Sequence, residues 1–155
     1  MKMHRTEKVW LTASFSMIMI FMLITGYQVF AMDMGMPSHK ETIDSQKVDQ
    51  TAPFDKPGVT QVGDHEYEVV MTLEVFMFNP SDFEIPAGST VHFKLTSKDV
   101  VHGFEIAETN VNAMVVPGYI QTITQKFDKP GEYLVLCNEY CGAGHEFMFT
   151  KIHVV

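Results

Sequence analysis

A chain of 155 residues, 46% hydrophobic and with a formal net charge of -8, has room for one membrane anchor and one domain of roughly 100 residues around a single core. The charge is uneven: residues 1–32 set three basic residues against one acidic, and the remainder sets eight lysines against eighteen acidic residues. That balance argues against nucleic acid as a partner; it could draw in a basic protein through the long-range field, or serve only as solubility charge, while two cysteines are too few for a disulfide framework.

Met1 to Lys8 forms a short basic head, and Val9 to Met32 carries no charged residue. About 20 apolar residues cross a bilayer as a helix, so this run predicts a single membrane span with Trp10 and Tyr27 near its interfaces. The basic head and the acidic sequence after Asp33 place the N-terminus in the cytoplasm and the following domain on the extracytoplasmic side of the cell membrane. A cleaved signal peptide is the alternative. Val29-Phe30-Ala31 would serve as its cleavage pattern, but the apolar run exceeds the usual core of about 7–15 residues.

Residues 33–64 read as a polar linker with Gly35, Pro37, Pro53, Pro57 and Gly58. Met32, Met34, Met36 and His39 could form a weak copper-capture patch there, though incidental residues at a membrane exit are the plainer reading. From residue 65 to 155 the pattern is that of an all-β domain. Tyr67, Val69, Met71, Leu73, Val75 and Met77 share one phase of a period-two strand, with Glu66, Glu68, Thr72 and Glu74 on the other. Asn79-Pro80-Ser81-Asp82 and Ile85-Pro86-Ala87-Gly88 are turns. Val91, Phe93 and Leu95 mark a second strand, and Val100 to Ile106 a third. Strands over Tyr119–Phe127, Glu132–Leu136 and Phe149–Val155 follow turns at Pro117-Gly118 and Lys129-Pro130-Gly131. Short strands between Pro/Gly turns, without helical periodicity, predict a Greek-key β-sandwich or barrel behind the single N-terminal transmembrane helix.

The chemistry concentrates in Cys137-Asn138-Glu139-Tyr140-Cys141-Gly142-Ala143-Gly144-His145-Glu146-Phe147-Met148. Two thiolates, an imidazole and a thioether are soft and borderline ligands that suit copper. A mononuclear blue-copper site takes one Cys, two His and a long axial Met; this loop has one thiolate more. Two thiolates four residues apart can each bridge a pair of metals, so a dinuclear copper centre is the economical reading. Its second imidazole has its best source in Val100-Val101-His102-Gly103-Phe104. A disulfide, or a Cys-Cys-His-His zinc site that leaves Met148 as packing, would use the same residues. His39, His65, His92 and His153 read as solvated, and Met77 and Met114 as packing. Phe76 and Phe78 fall off the buried phase, free to pack over the loop or to meet a larger subunit. Gly103 serves a tight approach of the two loops.

Taken together, C-x-E-x-C-G-x-G-H-x-x-M with V-x-H-G-F upstream resembles the CuA domain of subunit II of haem–copper cytochrome c oxidases, above all the short B-type subunits with one membrane helix. The likeness covers Tyr67 to Val155 and the N-terminal helix in outline. It implies a cupredoxin fold and a metal set of His102, Cys137, Glu139, Cys141, His145 and Met148. Both cysteines would bridge two copper ions. His102 and Met148 would complete one ion; His145 and the main-chain carbonyl of Glu139 would complete the other. In longer relatives a Glu at the position of Glu139 also contacts magnesium. The implied role is electron entry: electrons arrive from cytochrome c or a small copper protein and pass to haem in subunit I. Oxygen reduction belongs to that other subunit, and no C-x-x-C-H is present to attach haem here. A membrane-anchored copper chaperone, or a copper-binding domain outside any oxidase, is the competing reading. A chaperone has no need of His145 and Met148 at fixed spacing after the second cysteine.

Overall fold

The computed structural model describes residues 3–31 and 41–155, so the methionine and histidine patch at 32–39 lies outside the described residues. The uncharged N-terminal run forms helix α1, Arg5–Ala31. At 1.5 Å per residue its 27 residues extend about 40 Å, more than the roughly 30 Å hydrocarbon layer. Several of its polar groups are paired within the same segment. Glu7 accepts the main-chain N–H of His4 at 2.8 Å, and the Thr12 and Thr25 hydroxyls donate to the carbonyls of Lys8 and Phe21 one turn back. Such internal pairing is what an apolar medium demands, and the helix is long and apolar enough to cross a membrane.

The remaining described residues form two β-sheets. The six-stranded sheet is built from β1 (Glu41–Thr42), β2 (Gly58–Gly63), β3 (Glu66–Glu74), β4 (Met77–Asn79), β6 (Ser89–Ser97) and β9 (Tyr119–Phe127). Its order is β1-β9-β6-β3-β2, with β4 folded back on β3. The five-stranded sheet runs β5-β11-β10-β7-β8: β5 is Phe83–Ile85, β7 His102–Ile106, β8 Asn112–Val115, β10 Gly131–Leu136 and β11 Phe149–Val154. β3 pairs with β6, and β5 with β11, in parallel; the other pairings are antiparallel. The core lies between the sheets. Val69, Met71, Leu73, Val91, Phe93 and Leu95 from one meet Phe104, Ile106, Val135, Ile152 and Val154 from the other. The Phe93 and Phe104 rings cross this interface with centroids 5.3 Å apart. This is the all-β sandwich expected of a cupredoxin, preceded by one apolar helix.

Three local features depart from expectation. The stretch read as a linker contributes β1 and β2, which pair with β9 and β3. Ile43, Val48 and Phe54 from the same stretch cover the outer face of β3 at Val70. Too few apolar residues, separated by too many polar ones, carry this layer for any periodicity to announce it. The long first strand is in fact a hairpin. β3 stops at Glu74, Val75 and Phe76 turn the chain, and β4 returns with Glu74 opposite Met77 and Leu73 opposite Phe78. Alternation runs on through the turn, which hides it. Val75 and Met77 are therefore exposed and Phe78 enters the core. Met114, on β8, is likewise exposed, so neither it nor Met77 is core packing.

Candidate metal centre

The loop from Cys137 to Met148 joins β10 to β11, and β7 lies beside β10. Three adjacent strands of one sheet thus deliver all of the candidate donors. The main-chain N–H of Cys137 donates to the Met148 carbonyl at 3.1 Å, which closes the loop at its base. Within it, the Cys137 and Cys141 sulfurs are free thiols 3.7 Å apart. His102 Nδ1 lies 3.9 Å from Cys137 Sγ, and the Glu139 carbonyl 3.2 Å from the same sulfur. On the far side, Cys141 Sγ has His145 Nδ1 at 3.6 Å and Met148 Sδ at 3.7 Å. His102, Cys137, Cys141 and Met148 are buried, and His145 is half-buried. His65, His92 and His153 stand apart: His65 is exposed, His92 contacts Thr124, and His153 faces Glu132.

Close approach of the backbone makes this cluster possible. A Cβ on Gly103 would run into the Asn138 side chain and come within 2.5 Å of the Asn138 main-chain nitrogen. Gly103 instead lets its own N–H point at Cys137 Sγ, 3.4 Å away. Gly142, with φ +135°, and Gly144 leave space for the Phe76 ring, which would lie 2.5 Å from a Cβ at Gly144. Phe76, at the β3–β4 turn, is therefore the roof of the loop.

Asp99 escaped the reading of the sequence. Its Oδ1 is 2.8 Å from His102 Nε2. A carboxylate only accepts, so Nε2 carries the proton and Nδ1 turns a lone pair toward the sulfurs. Asp99 also receives the N–H groups of Val75 and Val100. Burial pushes its carboxyl up, but the bonds from His102, Val75 and Val100 outweigh this and hold it below the usual carboxylate value. The available signal was a carboxylate three residues before a candidate ligand histidine, since such histidines commonly donate their second N–H to one.

Burial, and then the adjacent Cys137, push the Cys141 thiol up to about 11. A buried pair of thiols becomes a pair of thiolates only when a cation replaces the protons. Two sulfurs, two imidazole nitrogens, a thioether and a carbonyl form a donor set matched to copper, whereas hard cations prefer oxygen cages.

Comparison with known proteins agrees. Residues 66–155 match the family model described as cytochrome c oxidase subunit II, periplasmic domain. A cytochrome c oxidase subunit 2 of Thermus thermophilus is 39% identical over 152 residues, covering 96% of this chain and 90% of that protein. Among solved structures, a chain of a haem–copper terminal oxidase dimer superposes with a TM-score of 0.80 at 33% identity, covering 97% of this chain and all of that one. The periplasmic domain of subunit II of cytochrome oxidase from Bradyrhizobium japonicum shares the fold, with a TM-score of 0.53 at 21% identity over 57% of this chain and 83% of that one. A sulfur-rich copper-type donor set at one end of a β-sandwich, with a family match over most of the described domain and high coverage of full-length relatives, makes the chain a member of the cytochrome c oxidase subunit II family, a subunit II of a haem–copper oxidase.

Proposed function

We propose that this chain holds a dinuclear copper centre and is the electron-entry subunit of its oxidase. One observation carries the reading: two free thiols in mutual contact, flanked on one side by His102 and the Glu139 carbonyl and on the other by His145 and Met148. Cys137 and Cys141 would bridge, with His102, His145, Met148 and the Glu139 carbonyl as terminal ligands. Copper, when bound, supplies a one-electron redox couple.

The rest is the work of the protein. Asp99 keeps the His102 lone pair on Nδ1. The Gly103 N–H draws electron density from Cys137 Sγ, and outer-shell partners of this kind tune a metal site. Burial of Cys137 and Cys141, with Met148 against the Cys141 sulfur, keeps water from the sulfurs. Anchorage of the loop between two hydrogen-bonded strands limits how far its donors can shift when charge arrives or leaves. In this reading α1 is the membrane anchor, and its basic head keeps the copper domain on the extracytoplasmic side. There it would meet cytochrome c or a small copper protein and pass electrons to haem in subunit I.

The test is copper stoichiometry with electron paramagnetic resonance on the full chain in detergent. Two coppers per chain, with the unpaired electron shared by both nuclei, are expected. A single copper with the hyperfine pattern of one nucleus overturns the dinuclear reading.

A further inference from the structure

Asn138 sits between Cys137 and Glu139, two proposed ligand positions, yet its side chain turns away from the sulfurs. Its Nδ2 donates to Glu105 Oε2 at 3.0 Å and to Asn112 Oδ1 at 2.9 Å. These acceptors are directly opposite each other across β7 and β8, and Glu105 is also opposite Leu136 at the end of β10. One amide group therefore binds the start of the loop to both neighbouring strands. The bond to Glu105 is charge-assisted, the stronger kind. Beneath it, the Asn138 main chain lies against Gly103, whose N–H points at Cys137 Sγ, so any movement of Asn138 moves the surroundings of that sulfur and of the Glu139 carbonyl.

We infer that Asn138 is a positioning residue for the copper centre: its amide, held by Glu105 and Asn112, sets the placement of Cys137 Sγ and the Glu139 carbonyl. Only a donor can serve in this place, because the Glu105 carboxylate can only accept. The inference rests on the copper reading of the loop.

Polarity reversal tests it in the full chain in detergent. Asn138→Asp keeps the size but turns a carboxylate toward Glu105; Asn112 can flip its amide to follow, whereas Glu105 cannot. Glu105→Gln added to Asn138→Asp supplies a donor and restores the pair with donor and acceptor exchanged. Three readouts are needed: hydrogen exchange of the 137–141 main chain in the copper-free protein, and copper release to a chelator and the copper hyperfine spectrum in the loaded protein. Asn138→Asp should speed loop exchange and should raise copper release about tenfold, the lower end of what loss of an outer-shell partner costs in metal affinity. It should also shift the hyperfine splitting, and the double variant should recover most of all three. Wild-type exchange and release in Asn138→Asp overturn the inference, as does a double variant no better than the single one. Failure of the wild-type chain to take up copper overturns the copper reading instead, and the exchange data then still decide whether the amide holds the loop.

Discussion

Gly103 shows how little tolerance single residues have in this loop. Its missing Cβ is the space taken by the Asn138 side chain and by the main-chain nitrogens of Asn138 and Glu139. Gly103→Ala should displace the loop and cost about 1–3 kcal/mol, the usual range for overpacking; thermal unfolding of the copper-free chain measures the cost, and reduced copper uptake should accompany it. The sulfur ligands make separate demands. If both thiolates bridge, Cys137→Ser and Cys141→Ser should each leave no two-copper species, as metal analysis and electron paramagnetic resonance would read. Met148→Leu nearly conserves volume in a site 2% exposed. It should therefore keep both coppers and change the reduction potential, since a thioether is a weak tuning ligand. An unchanged spectrum and potential would remove Met148 from the ligand set. The clustering of the candidate donors was legible in the sequence because soft side chains at short spacing on one loop are rare. Asn138 was not, because its partners Glu105 and Asn112 come from other strands; Asp99 had its local signal in the spacing to His102, while its bond from Val75 exists only in the fold.

Among the elements, the stretch from β1 to β2 carries the largest difference between pattern and structure. Phe54 is fully buried there against Val48, Ile43 and the outer face of β3. Phe54→Ala should destabilise the domain by about 3 kcal/mol, the lower end for a buried phenylalanine, as denaturant unfolding would measure; no loss would return this stretch to the status of a linker. An ion pair fastens the same layer. Lys98 Nζ lies 2.8 Å from Asp49 in the 3-10 turn Val48–Gln50 and 3.7 Å from Glu74 at the end of β3. The Asp49 hydrogen bond, opposed by burial and aided by Glu74, holds the Lys98 ammonium above its ordinary 10.5. The contribution to stability is thus complete below pH 10.5 and fades as pH rises through the folded value. Lys98→Gln should be less stable than wild type at pH 8 by up to about 1 kcal/mol, since Asp49 is exposed. That gap should close in strong alkali. Strand β11, β6 as far as Leu95 and β9 from Gln121 onward were legible because residues alternate there between more and less buried, with Val91, Phe93 and Leu95 in and His92 and Lys94 toward the surface. β4, β5 and β8 are three or four residues long, too short for alternation to mark them.

For the molecule as a whole, the functional claim is a relay, and it predicts company. Solubilised membranes should yield this chain with a large haem-containing polypeptide. Replacing His102 or His145 should stop oxygen consumption driven by the external donor, while a small artificial reductant that reaches the haem directly should still support it. Normal donor oxidation after loss of the copper loop would end the relay reading. The formal charge of -8 adds that a basic donor should react more slowly as salt rises, because the Debye length shortens. A further consequence follows from the place of β11 in its sheet. Of the strands, β11 is the last to be synthesised, yet it is an interior one, parallel to β5 on one edge and antiparallel to β10 on the other. The sheet cannot close while the chain is still emerging, since Phe83–Ile85 must wait for residues 152–154, and such distant pairings are slow to form. If the domain is exported as proposed, Cys137 and Cys141 would leave the cell's reducing interior on an open chain, accessible before they are buried. A thiol-labelling pulse during export should modify both cysteines on every nascent chain that lacks β11 and spare them once that strand has docked.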